Sequence, residues 1–226
     1  MRIHTILLAV LLAAALPASG SEPDAAEILR AARVNPLGNP IRLDARLRSG
    51  TSAVGFRIVV DGAVRYQFDN PPQEIILELG DEGSRLSERL GGKEAPVKPA
   101  RYDDRIRGSG LSYEDIALKF LYWDHPKIIG EETVSTRKAW KIEVQAPRGT
   151  SQYGVARLWI DKENGALLRV EGYDPDGRLA RRFEVRSAQK LDGQWMLKQM
   201  RIETFDPASK KITGRTYLEV LGRSET

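Results

Sequence analysis

Three dipeptides constrain this chain more than anything else in it: Asn164-Gly165, Asp176-Gly177 and Asp192-Gly193. Each favours the positive φ angles of a two-residue hairpin turn, because Gly lacks a Cβ and Asn and Asp tolerate the left-handed region. The runs between them are short and rich in β-branched and aromatic residues, so antiparallel strands are expected there. The same alternation occurs earlier. Phe56, Ile58 and Val60 share one face, Asp61-Gly62 turns the chain, and Val64, Tyr66 and Phe68 carry the apolar face back. Pro71-Pro72 interrupts the ladder, and Ile75, Leu77 and Leu79 resume it.

Helical spacing is confined to two places. Ala25, Ile28, Leu29 and Ala32 form one apolar stripe that Pro36 ends. Ser112-Tyr113-Glu114-Asp115 has the layout of a capping box, with Asp as the acid, and predicts a helix presenting Ile116, Phe120 and Leu121. Between these, residues 81–104 hold Gly83, Gly91, Gly92, Pro96 and Pro99, which predicts a weak hairpin and then a mobile loop. Gly108-Ser109-Gly110 reads as a flexible hinge into the helix. The expected fold is mainly β, of α+β type: one strongly curved antiparallel sheet or half-open barrel with short helices as a lid. Two short helices over about ten strands leave part of the apolar concave face to a guest.

The N-terminus predicts export. Arg2 precedes the apolar run from Ile6 to Leu16, and Pro17-Ala18-Ser19-Gly20 supplies small residues for cleavage near Ser21. Residues 1–20 are therefore expected to be a signal peptide and residues 21–226 a single periplasmic domain. No later apolar run is long enough to span a bilayer, so no stable membrane insertion is expected after cleavage.

Composition narrows the chemistry. The chain has no cysteine and two histidines, His4 and His125, and His4 lies in the signal segment. Thiolate nucleophiles, disulfides, zinc sites that need sulfur and multi-histidine metal sites are excluded. Thirty-five Lys and Arg against 31 Asp and Glu give a net charge of +4, with the signs interspersed, which does not describe a nucleic-acid stripe. His125 follows Asp124, but Pro126 favours an extended backbone in which neighbours point apart. No Gly-x-Ser-x-Gly elbow occurs. Asp174-Pro175-Asp176-Gly177 resembles the start of a calcium loop, yet Phe183 stands where its bidentate Glu belongs. Asp103-Asp104 and Glu131-Glu132 are adjacent pairs that face apart on extended chain. No catalytic residue, metal site or cofactor is expected.

Two side chains break the binary pattern. Trp159 alternates with Leu158 and Ile160 and so faces the less apolar side of its strand. Arg181 lies between Leu179 and Phe183, on the inward face. It either snorkels to the rim or hydrogen-bonds a helix carbonyl or a ligand carbonyl inside.

Several segments resemble the lipoprotein-sorting, or LolA-like, family: Gly108 to Ile116, Leu158-Trp159-Ile160-Asp161, Tyr173 to Leu179, and Leu191-Asp192-Gly193-Gln194-Trp195. Their order and spacing carry the likeness, which is strongest from Gly108 to Val220. The resemblance implies a half-open barrel closed by helices around a cavity for acyl chains, in exported carriers or sensors that are not enzymes. Its best-known carrier passes lipoproteins from an inner-membrane transporter to an outer-membrane acceptor, and an inward arginine holds its lid closed. Here Arg57 alternates outward from Phe56 and Ile58, whereas Arg181 has the suitable face. The present motifs resemble a divergent branch. The candidate cavity and lid residues are Phe56, Ile58, Tyr66, Phe68, Ile116, Phe120, Leu121, Trp140, Arg181 and Phe183. The expected partners are lipoprotein acyl chains or other amphipathic lipids; the alternative is an envelope sensor of the same fold acting through protein partners.

Overall fold

A computed structural model describes residues 23–33 and 40–224. The expected signal peptide and Pro36 lie outside the described residues. A short helix, α1 (Ala25–Arg33), comes first and buries Ala25, Ile28, Leu29 and Ala32, the stripe read from the sequence. Six strands follow as a meander: β1 (Ile41–Ser49), β2 (Ser52–Val60), β3 (Val64–Phe68), β4 (Gln73–Leu79), β5 (Ser84–Leu90) and β6 (Lys93–Pro96). After a connection come seven more: β7 (Lys127–Val134), β8 (Arg137–Gln145), β9 (Val155–Asp161), β10 (Leu167–Tyr173), β11 (Leu179–Leu191), β12 (Gln194–Phe205) and β13 (Ile212–Arg223).

All thirteen strands form one antiparallel sheet, in the order β6-β5-β4-β3-β2-β1-β13-β12-β11-β10-β9-β8-β7. The two meanders join where β1 pairs with β13, from Leu43 opposite Arg223 to Ser49 opposite Thr216. This leaves β6 and β7, consecutive in the chain, at opposite edges of a strongly curved sheet that does not close. The connection between them, residues 97–126, therefore crosses the open mouth. It buries Val97, Ile106, Leu111, Ile116, Phe120 and Leu121 against the concave face, and α1 packs beside it.

Strand alternation assigns the two faces. In β1, Ile41, Leu43, Ala45 and Leu47 are buried, while Arg42 and Arg46 are exposed. All three hairpin dipeptides form turns: Gly165, Gly177 and Gly193 have φ of 70°, 77° and 82°. The hairpin expected within residues 81–104 is present, and a 3-10 turn at Pro99–Arg101 follows it. Gly91 and Gly92 turn β5 into β6, and β5 is held by β4 on its other side.

The convex face is a lattice of cross-strand ion pairs. Glu219 on β13 accepts from Arg46 and Arg48 of β1 and from Gln199 of β12. Glu184 on β11 lies among Arg169, Arg186 and Arg201. Glu203 lies among Arg182, Arg201 and Arg215, and Glu171 pairs with Arg182. The arginine stems cover the carboxylates, so Glu184 and Glu203 are only 5% and 2% exposed. Opposite charges directly across strands stabilise the pairing while leaving guanidinium edges in water.

Burial opposes ionisation of Glu219, but the hydrogen bonds from Arg48, Arg46 and Gln199 outweigh it and hold the carboxyl down to about 2. A carboxyl depressed in the folded state stabilises above its ordinary value and loses that contribution as pH falls through the depressed one. Thermal melts between pH 4.5 and pH 2 should show a steep loss of Tm for this chain and a shallower one for Glu219→Gln. Equal slopes would remove Glu219 from the acid response.

Candidate functional site

The site is the contact between the sheet's concave face and the connection that spans its mouth. Helix α2 (Tyr113–Ala117) opens on Ser112 with a complete capping box. The Ser112 hydroxyl accepts from the Asp115 N–H, and the Asp115 carboxylate accepts from the Ser112 N–H at 2.7 Å. The helix is shorter than expected. Leu118 takes a left-handed conformation at φ 52°, and Phe120 and Leu121 come from a 3-10 turn at Lys119–Tyr122. That break lets both faces of a short segment point inward: all five α2 residues are buried.

Its first turn is tied at three points. The Tyr113 hydroxyl donates to Glu88 of β5 and accepts from Gln73 of β4 at 2.9 Å and Arg101 at 3.0 Å. Glu114 accepts from the Ser151 hydroxyl and the Gln152 N–H, in the loop between β8 and β9. Asp115 accepts from Arg181 of β11 at 2.8 Å and from the Tyr153 hydroxyl at 2.6 Å. The same Arg181 nitrogen donates to the Gly110 carbonyl. Arg181 is 2% exposed and the Asp115 side chain is fully buried, so this is an ion pair inside an apolar interior.

Burial pushes the Asp115 carboxyl up to about 6, against the hydrogen bonds from Tyr153 and Ser112. The Arg181 guanidinium also favours the carboxylate. Burial and the Asp115 charge raise the Tyr153 hydroxyl far above the range in which it would ionise, so it serves as a donor.

Two glycines make the approach possible. A Cβ on Gly110 would lie 2.7 Å from the Thr216 hydroxyl oxygen, which accepts from the Gly110 N–H at 2.9 Å. A Cβ on Gly172 would lie 2.5 Å from the Tyr153 ring. The expected flexible hinge at Gly108-Ser109-Gly110 is thus a clamp at its third residue, held by Thr216 on one side and Arg181 on the other. His125 departs from expectation too: it takes φ 53° rather than an extended backbone, and it is exposed.

The candidate residues divide. Phe56, Tyr66, Phe68 and Ile116 line one interior cavity, with Phe56 and Phe68 stacked at 5.0 Å. Ile58, Phe120, Leu121 and Phe183 lie in the same core without bordering that cavity. Trp140 is half-buried at the core margin, with the Lys162 ammonium 3.7 Å from its ring centroid. Arg57 faces outward and pairs with Asp69. The cavity measures about 10 Å³, room for one water. Among the described residues this gap is narrow because the whole 97–123 segment, and not two helices alone, packs on this part of the sheet. Tyr153, Glu88 and Thr216 were not foreseen; they lie far from α2 in sequence and carry no local signal.

Among the described residues no cluster of His, Asp or Glu could hold a metal ion, and no helix is long and apolar enough to cross a membrane. Residues 94–220, over half of the chain, match the model of a family described as uncharacterized protein. The chain belongs to that family. A search of curated proteins returns no match. Among solved structures, a domain assigned as an outer membrane lipoprotein-sorting protein from Vibrio parahaemolyticus is similar at TM-score 0.69 and 19% identity, over 87% of this chain and 89% of that one. A DUF1329 family protein from Desulfovibrio piger is similar at TM-score 0.67 and 18% identity, over 87% and 90%. A LolA superfamily protein from Nitrosomonas europaea gives 0.63 and 15%, over 88% and 92%. At these identities the likeness is one of fold.

Removing one member of a buried pair strands the other. Arg181→Leu alone should cost about 3–5 kcal/mol of unfolding free energy, and Arg181→Leu with Asp115→Leu should recover most of it. Tyr153→Phe should cost about 1–3 kcal/mol, because a buried carboxylate loses one donor. Urea unfolding of the four proteins checks both values; a double variant no better than Arg181→Leu would count against a buried pair.

Proposed function

We propose that this chain is a periplasmic, non-enzymatic carrier that takes acyl chains of lipoproteins or other amphipathic lipids beneath its lid, for transfer toward the outer membrane. The buried Arg181–Asp115 pair between sheet and lid carries this reading. An ion pair that deep adds little stability over apolar packing, so its value lies in fixing one closed arrangement. It also releases cheaply. Lid opening returns both charges to water together, and neither is stranded in the interior.

The narrow gap beside Ile116 then describes the unloaded, closed state. An acyl chain burying about ten methylenes gains about 8 kcal/mol, enough to compete with lid side chains for the same concave surface. Phe56, Tyr66, Phe68 and Ile116, which already border a gap, are where a chain tip would enter. The fold of lipoprotein-sorting neighbours and the signal-peptide layout of residues 1–20 support the periplasmic setting, with an inner-membrane donor and an outer-membrane acceptor as partners. The cavity of about 10 Å³ favours one other reading, an envelope sensor that works closed and through a protein partner.

Delipidated protein titrated with a fluorescent fatty acid and with a triacylated peptide should bind both saturably, and unlabelled chain should compete. Phe120→Glu should abolish binding while leaving a cooperative melt. In Asp115→Leu/Arg181→Leu the lid contact becomes apolar, and uptake should slow. No saturable binding by the parent chain would sink the carrier and leave the sensor.

A further inference from the structure

The convex face carries a second feature, independent of any cargo inside. β10 pairs with β11 only from Arg169 opposite Glu184 to Tyr173 opposite Leu179. Beyond Glu184 the two strands diverge. β11 continues to Leu191, paired with β12 on one side alone. Among the described residues, the edge of 186–191 that faces β10 has no strand partner. In an antiparallel strand alternate N–H and C=O groups point to each side, so this edge offers unpaired donors and acceptors at strand spacing.

The divergence opens a wedge of about 400 Å³. Leu168 and Val134 belong to its apolar floor, part of a small outer cluster with Trp159, and Trp195 and Ala188 stand on the β11–β12 side. The turns at Ser135-Thr136 and Asn164 form the far wall. Charge along the wedge is unbalanced. Arg137 is neutralised by Asp161 and Glu163, but Arg186 shares Glu184 with Arg169 and Arg201. Lys190 is exposed and has no ion pair among the described residues.

We propose that this wedge takes up an extended segment of a partner protein, one that mixes acidic and apolar residues, as an added strand on residues 186–191 of β11. Backbone bonding to the open edge supplies the register, an apolar side chain covers Leu168 and Trp195, and acidic side chains meet Arg186 and Lys190. A helix could not satisfy the open edge, and a basic strand would meet Arg186 and Lys190 with like charge.

The probe is a dye-labelled eight-residue peptide alternating Glu and Val, with a Lys-and-Val peptide as control. The full chain should bind the acidic peptide saturably and the basic one at least about tenfold more weakly, and Lys190→Glu and Ala188→Glu should each weaken the acidic peptide by about tenfold. Both positions are exposed, so the variants should melt like the parent chain. Hydrogen exchange should show new protection within 186–191. Absent binding, equal affinity for the two peptides, or protection elsewhere overturns the proposal. So does concentration-dependent protection of 186–191 without peptide, which would assign the edge to a second copy of this chain.

Discussion

Pairing of the first strand with the last governs this molecule. Each meander could form locally, since its strands pair in the order in which they follow along the chain. The β1–β13 ladder links residues near opposite ends of the chain, so its closure entropy must be offset by the whole sheet. Its consequence is geometric. Once β1 and β13 are neighbours at the centre, β6 and β7 must be the outer edges, and the segment between them has to cross the mouth. The lid is therefore a product of topology before it is a product of sequence.

Having been brought across, the lid is fixed by polar contacts rather than by apolar fit alone. Apolar packing is non-directional and would accept several placements of so short a helix. Tyr113, Glu114 and Asp115 each accept or donate to a different part of the sheet or its loops, and together they admit one placement. Asp115 does so while also closing the capping box, so the local helix signal and the long-range latch share one carboxylate. The cost is two buried charges; the return is a closed state that is unique and separable in water.

The two faces of the sheet solve opposite problems. Among the described residues the concave face is covered by apolar side chains from both meanders and the lid, and the gap beside Phe56, Phe68 and Ile116 holds about one water, so a guest there competes with the chain itself. The convex face is held by arginines that outnumber the glutamates they surround, as around Glu184 and Glu219. That excess keeps the face hydrated. At the β10–β11 divergence the ladder between two neighbouring strands stops short, and residues 186–191 keep a partner on one side alone.

Much was legible in the residues themselves. Two-residue periodicity and the Asn-Gly and Asp-Gly turns determined the strands and their inward faces, and Ser112 with Asp115 determined where α2 begins, because these are signals carried within a few residues. The outward Trp159 and the inward Arg181 followed from the same alternation. Which group Arg181 would meet did not. Its partner lies 66 residues away, and Tyr153 and Gly172 enter the site from other strands and loops. The end of α2 was misjudged because Leu118 in a left-handed turn is a tertiary choice, made so that Phe120 and Leu121 reach the core. The width of the gap beside Ile116 was hidden for a like reason: it depends on how far the 97–126 connection reaches across the mouth, and only the β1–β13 pairing sets that distance.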